Sequence, residues 1–330
     1  VELTRVPSAF AADRLAEHPL RGRASGGVRV GLGGVLADRG HRLYRALPRG
    51  GAVSRAYRWR WRDVWSQRWW PQGIALGEHE GTPVALVSWF AQDGRGPKQG
   101  ARISVVDLGD IRRPRYRHVL LVAPQPTGGS VALAPVEVHA GGLAWVGDSL
   151  FVAATFGGLR EFRLADIVRL PGRGLFGHRY VLPQAAAATQ PDEGRRMRYS
   201  FVAATREHVT AGEYRKDDRG RLGRLVQHDR GFSLEGAFAP GIREMQGAAL
   251  HEHVWHVTAS RGDRENGDLW VGSEGALTRM PGALPPGPED LAVWPERGEL
   301  WSVTEFPWKR WLYSVPLSSG VQRAAARSTR

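Results

Sequence analysis

The chain has 330 residues, 42% of them apolar, enough for one large or two ordinary domains around a substantial core. It has no cysteine, which excludes disulfides, zinc–thiolate sites and a cysteine nucleophile. The formal net charge of +13 invites a nucleic-acid partner, but of 46 basic residues only Lys98, Lys216 and Lys309 are lysines, and the arginines are spread along the whole chain, a skew that fits GC-rich coding better than a DNA or RNA footprint.

Residues 1–50 are rich in Arg, Gly and Ala and weakly periodic, and they read as a flexible basic arm with a short helix near 8–18 capped by Ser8. The mildly apolar run 30–37 lacks the leucine block of a secretory core. No run approaches the roughly 18 apolar residues of a membrane span. Next, Tyr57, Trp59 and Trp61 alternate with Arg58, Arg60 and Arg62, the period of a strand with one buried face.

From Pro71 onward a unit recurs. Apolar runs ending in polar and aromatic residues fall at 87–90, 153–156, 211–214, 257–260 and 303–306, each preceded by a shorter apolar run containing Gly or Ser. A repeat of this length built from short strands predicts a β-propeller. The first blade is expected over 72–76, 84–90, 103–108 and 116–122; the others begin near 142, 199, 247 and 290. The last blade lacks a fourth strand after Pro316, and the segment 54–61 is available to supply it and close the ring. The expectation is an all-β, five-bladed propeller of four-stranded antiparallel blades over 51–318, with spacing that leaves room for a sixth, a disordered tail over 319–330, and a monomeric state.

The blade openings 71–75, 139–144, 245–249 and 288–292 resemble those of NHL-repeat and SMP-30/gluconolactonase propellers, and the chain is similar to actinobacterial secreted proteins with the same phrases. The resemblance covers roughly 71–316 and implies blades and an extracellular setting. Gluconolactonase-type enzymes hold a divalent ion with a Glu, an Asn and an Asp around the axis. Gln72, Gln246 and Glu289 stand at the corresponding openings, with no Asn among them.

Blade openings lie close to a propeller's axis, so Gln72, Gly141, Tyr199, Gln246 and Glu289 are expected to converge, with His139 and Asp290 beside them. Such groups suit a polar ligand, or Ca²⁺ held through Glu289 and Asp290. The second-strand ends form another ring: Trp89, Thr155, Glu213, Ser260 with Arg261, and Glu305. Glu213 and Glu305, each before an aromatic, are a candidate acid/base pair, and His139 a candidate general base. Arg198 and Arg261 are available to an anion. His251, His253 and His256 have metal-like spacing, yet strand periodicity sends His256 to the other face.

These residues suggest an extracellular propeller that binds a polar small molecule, a carbohydrate or an acidic glycan, at its axial mouth. A hydrolase or lyase acting there on a glycan or lactone, and a protein-interaction scaffold, are the alternatives. Nucleic acid is disfavoured.

Overall fold

Short apolar runs broken by Gly and Pro fold into successive antiparallel meanders in the computed structural model, which describes residues 2–8, 27–92, 99–127, 130–191 and 196–317. Blade one is Trp69–His79, Thr82–Ala91, Ala101–Asp107 and Arg115–Thr127. Blade two is Leu143–Val146, Ser149–Ala153, Leu159–Arg163 and Tyr180–Thr189. Blade three is Phe201–Ala204, Val209–Gly212, Leu222–His228 and Gly231–Phe238. Blade four is Met245–His251, Val254–Ala259, Gly267–Ser273 and Ala276–Leu284. Blade five is Pro288–Trp294, Glu299–Thr304 and Trp311–Pro316, completed by Arg55–Arg58.

The first strand of each blade touches the first strands of its neighbours, and that of blade five touches that of blade one. This cyclic contact makes the fold a β-propeller. The ring is closed by the N-terminal strand that the aromatic alternation anticipated, with Trp311 opposite Arg58 and Ser314 opposite Arg55. The alternation stops after Trp59, which is fully buried, because the chain turns into the one-turn helix Trp61–Val64 and leaves Trp61 62% exposed.

Near the axis, two glycines meet neighbouring backbone with no room for a side chain of their own. A Cβ on Gly142 would lie 2.1 Å from the Val202 nitrogen, and one on Gly247 would lie 2.5 Å from Asp290 Cα. Second-strand hydroxyls rivet one blade to the next. Ser88 donates to Ala140 O at 2.6 Å, Thr210 to Ala248 O at 2.7 Å and Thr258 to Glu289 O at 2.7 Å. Each bond gives a buried carbonyl a hydroxyl donor from the preceding blade.

The N-terminal region departs from the expected loose arm. Glu2–Pro7 pairs antiparallel with the last strands of both blade two and blade three; Val28–Arg29 pairs with Val168–Arg169, which itself pairs with the outer strand of blade two, and His41–Arg42 pairs with the outer strand of blade one. These outer strands have free edges, and backbone pairing there organises a segment whose side chains show no periodicity. The outer strands of blades one and two also pair directly and in parallel, over 180–183 and 119–122. The helix expected over 8–18 and the tail 319–330 lie outside the described residues. Among the described residues no helix is long and apolar enough to cross a membrane.

Candidate functional site

Three first strands carry a β-bulge at the same end of the axis. The register slips between Pro71 and Ile74, between Met245 and Gly247, and between Pro288 and Leu291. A bulge adds a residue and re-aims side chains that strict alternation would bury between sheets. Here it brings Gln72, Gln246 and Glu289 to a cavity of about 460 Å³ at the axial mouth. Blade two adds His139, Gly141 and Thr155 to the wall; blade three adds Arg198, Ser200 and Tyr214; blade five adds Glu305. Every blade contributes. Ala140 and Thr155, at the mouth, hold left-handed backbone angles of φ 55° and 49°, strain that non-glycine residues bear where the surroundings impose it.

Polar atoms of the cavity wall lack protein partners. Glu289 Oε1 and Arg198 Nε are buried and make no hydrogen bond, and neither does Asp290 Oδ1 beside the wall. Gln72 Nε2 donates to Glu305 Oε2 at 3.2 Å. Burial pushes the Glu289 carboxyl well above the usual range, and the nearby Glu305 and Asp290 add to it. Burial also raises Glu305, against the opposing pull of Gln72 and Arg310. Asp290 is raised by burial although Ile74 and Leu143 donate backbone N–H groups to its Oδ2 at 3.1 and 3.2 Å. His139 is lowered by burial and packs its ring 4.3 Å from that of Phe90. The Arg198 guanidinium lies 5.2 Å from the centre of the Phe156 ring and makes no ion pair among the described residues. The acids are thus driven toward their neutral forms.

Several expected residues lie elsewhere. Trp89 is fully buried in the blade-one core, edge-on to Trp59 at 4.9 Å, with its indole donating to Ser104 Oγ at 2.8 Å. Glu213 is locked in an ion pair with Arg221 at 2.8 Å and accepts the Arg198 backbone N–H, so Glu213 and Glu305 do not share the cavity. Ser260 accepts the Gly262 N–H and Arg261 pairs with Glu265; neither lines the wall. Tyr199 is buried one residue away, with its phenol pushed up to about 12 by burial, and Ser200 takes the place expected for it. Tyr214 lines the wall unanticipated, although it follows Glu213 at the repeat position of Phe90, Phe156 and Phe306.

Among the described residues no group of three or more His, Cys, Asp or Glu is arranged to hold an ion, and one oxygen of Asp290, expected with Glu289 to hold Ca²⁺, is taken by backbone N–H groups. Away from the axis, His118 links Ser104 Oγ, 2.9 Å from Nδ1, to Asp63 Oδ1, 3.0 Å from Nε2. The order mimics a hydrolytic triad, but Ser104 is fully buried and its hydroxyl already accepts the Trp89 indole, so it holds structure rather than substrate. A wider cavity of about 860 Å³ opens at the opposite end of the axis, between Trp145 and Trp294. Of its two acids, Glu78 and Glu296, the latter is ion-paired with Arg206.

No protein-family model and no curated protein matches the chain. Solved structures of similar fold include a gluconolactonase from Xanthomonas campestris, 14% identical over 86% of this chain and 90% of that one, TM-score 0.43. A GH43_1 enzyme from Xanthomonas citri is 13% identical over 77% and 89%, TM-score 0.41. A GH43 β-xylosidase/α-arabinofuranosidase from a compost metagenome is 11% identical over 82% and 95%, TM-score 0.42. At such identities and overlaps these are likenesses in outline, and what the cavity does has to come from its own residues.

Proposed function

We propose that the protein binds an acidic saccharide at its axial mouth. One observation carries this reading: five blades converge on a cavity where an oxygen of the neutral-leaning Glu289 carboxyl and the Arg198 Nε have no protein partner. Gln72, Gln246, Glu289 and Glu305 offer donors and acceptors for hydroxyls. Arg198 offers a charge-assisted contact to a carboxylate. Phe90, Phe156 and Tyr214 put apolar ring surface beside them, suited to the C–H faces of a sugar. Titration calorimetry with galacturonate against galactose should show a preference for the acid. Arg198→Ala should weaken galacturonate about 10- to 100-fold, as removal of a charged hydrogen bond does, and leave galactose unchanged. Equal binding of both sugars by the wild type would remove the acidic-ligand reading.

The proximity of Glu289 and Glu305 favours a second reading, hydrolysis. Burial, with Glu305 adding to it, raises the Glu289 carboxyl and keeps one acid of the pair protonated as a general acid. If the protein turns over an acidic glycoside or lactone, Glu305→Gln should lower kcat by about 10²-fold or more while ligand affinity holds. Loss of affinity with unchanged kcat would assign Glu305 to binding alone.

A further inference from the structure

Trp65 and Trp308 are 58% and 55% exposed, and their rings lie 5.3 Å apart. Neither fills the core, although most large aromatics here do. Trp308 also has a left-handed φ of 56°, unfavourable for a bulky side chain, and its N–H donates to Val64 O at 2.9 Å. The fold therefore holds a strained backbone where it displays an indole to solvent.

This pair is continuous with the mouth. Trp308 follows Glu305 by three residues, and between them Phe306 meets Trp70 edge-on at 6.2 Å. Trp70 in turn precedes Gln72 by two residues on the same strand. Arg310, fully buried, pins both sides together. Its Nε donates to Glu305 O at 2.7 Å, its Nη1 donates to Asp63 O at 2.7 Å and Ser66 O at 2.8 Å, and its guanidinium lies 5.3 Å from the centre of the Trp70 ring. Beyond Trp65, the exposed Trp61 carries the Arg62 guanidinium 5.4 Å from its ring centre.

We infer that Trp70 with Phe306, then Trp65 with Trp308, form an aromatic track that leads out of the axial cavity and holds successive sugar rings of an acidic polysaccharide chain. The inference rests on the reading that the cavity takes an acidic saccharide. An indole face accepts the apolar face of a pyranose while the hydroxyl edges stay in water. Arg62 supplies a cation for carboxylates along the chain. Because Arg310 fixes the two sides before ligand arrives, little ordering opposes binding.

Titration calorimetry with galacturonic acid and its hexamer tests this on the full chain. The wild type should bind the hexamer at least about tenfold more tightly than the monomer. Trp65→Ala with Trp308→Ala should keep the monomer affinity and lose the gain, and Trp65→Tyr with Trp308→Tyr should restore much of it. A length gain that survives the double alanine change, or is absent from the wild type, overturns the track even if Arg198→Ala still abolishes monomer binding. Loss of the gain in the alanine variant, with Arg198→Ala without effect, keeps the track and removes the cavity reading. No binding of either sugar removes both. Self-association of the wild type that the alanine changes abolish in sedimentation would make the surface an interface between copies and overturn the inference.

Discussion

Asp63→Ala is expected to lower the unfolding free energy by about 3–5 kcal/mol, the cost of stranding a buried charge. Asp63 sits on the one-turn helix that follows the closing strand, and its carboxylate reaches into blade one. There it accepts from Arg102 Nη2 at 2.9 Å, Tyr116 OH at 2.5 Å and His118 Nε2 at 3.0 Å. Burial opposes its charge, but His118 and Arg102 hold the carboxyl well below the usual range. Without it Arg102, 5% exposed and flanked by Trp69 and Trp89, keeps a charge with no counter-ion. Chemical denaturation of Asp63→Ala measures the loss. Asp63→Leu combined with Arg102→Met should be markedly less destabilised than Asp63→Ala, since it removes both charges together. A single-variant loss below about 1 kcal/mol, the range of an exposed pair, would show that the network is not sealed from water.

Acid should unfold the protein through its buried imidazoles. Burial, with Arg102 and His118 adding to it, depresses His178 to about 3. Burial and then His251 depress His256 to about 4. Each stays neutral in the fold, while in the unfolded chain it takes up a proton below about pH 6.5. The stability each contributes is therefore complete above pH 6.5 and is lost as pH falls toward the folded value. The loss is on the order of 3 kcal/mol per imidazole by pH 4. Glu289 and Asp290 act with the opposite sign. Their raised folded values give stability that is present below about pH 4 and is lost as pH rises through them. Urea denaturation across pH 4–8 should show a shallower acid limb in His178→Leu with His256→Leu than in the wild type. Glu289→Gln with Asp290→Asn should steepen the acid limb, because it removes the opposing contribution. Parallel curves for the imidazole variant and the wild type would mean that these rings titrate normally in the fold.

The blades were legible because their period survives in the chain. Apolar runs at near-regular intervals, each followed by a polar-aromatic ending, mark the second strands, and the Tyr57/Trp59 alternation marks the closing strand. The openings were legible for the same reason, so the sequence marks Gln72, Gln246 and Glu289 as axial. Trp89 was misplaced because a ring ending a second strand can face the axis or the gap between blades, and repeat position does not choose. Glu213 was misplaced because its partner Arg221 comes from just before the adjoining strand, a pairing that exists only once the hairpin has formed. The Asp63–His118–Ser104 network escaped notice because its members come from three separate segments with no shared motif.

From the sequence alone followed the repeated unit, the strands that compose it, the closing strand and the polar character of the blade openings. Tertiary structure decided which of those polar residues face one another. A single bulge residue reverses the direction in which a strand presents its side chains, and three bulges at one end of the axis turn Gln72, Gln246 and Glu289 inward. It also decided the charges, because burial, reinforced at Glu289 by Glu305 and Asp290, and not residue type, drives Glu289 and Glu305 toward neutrality.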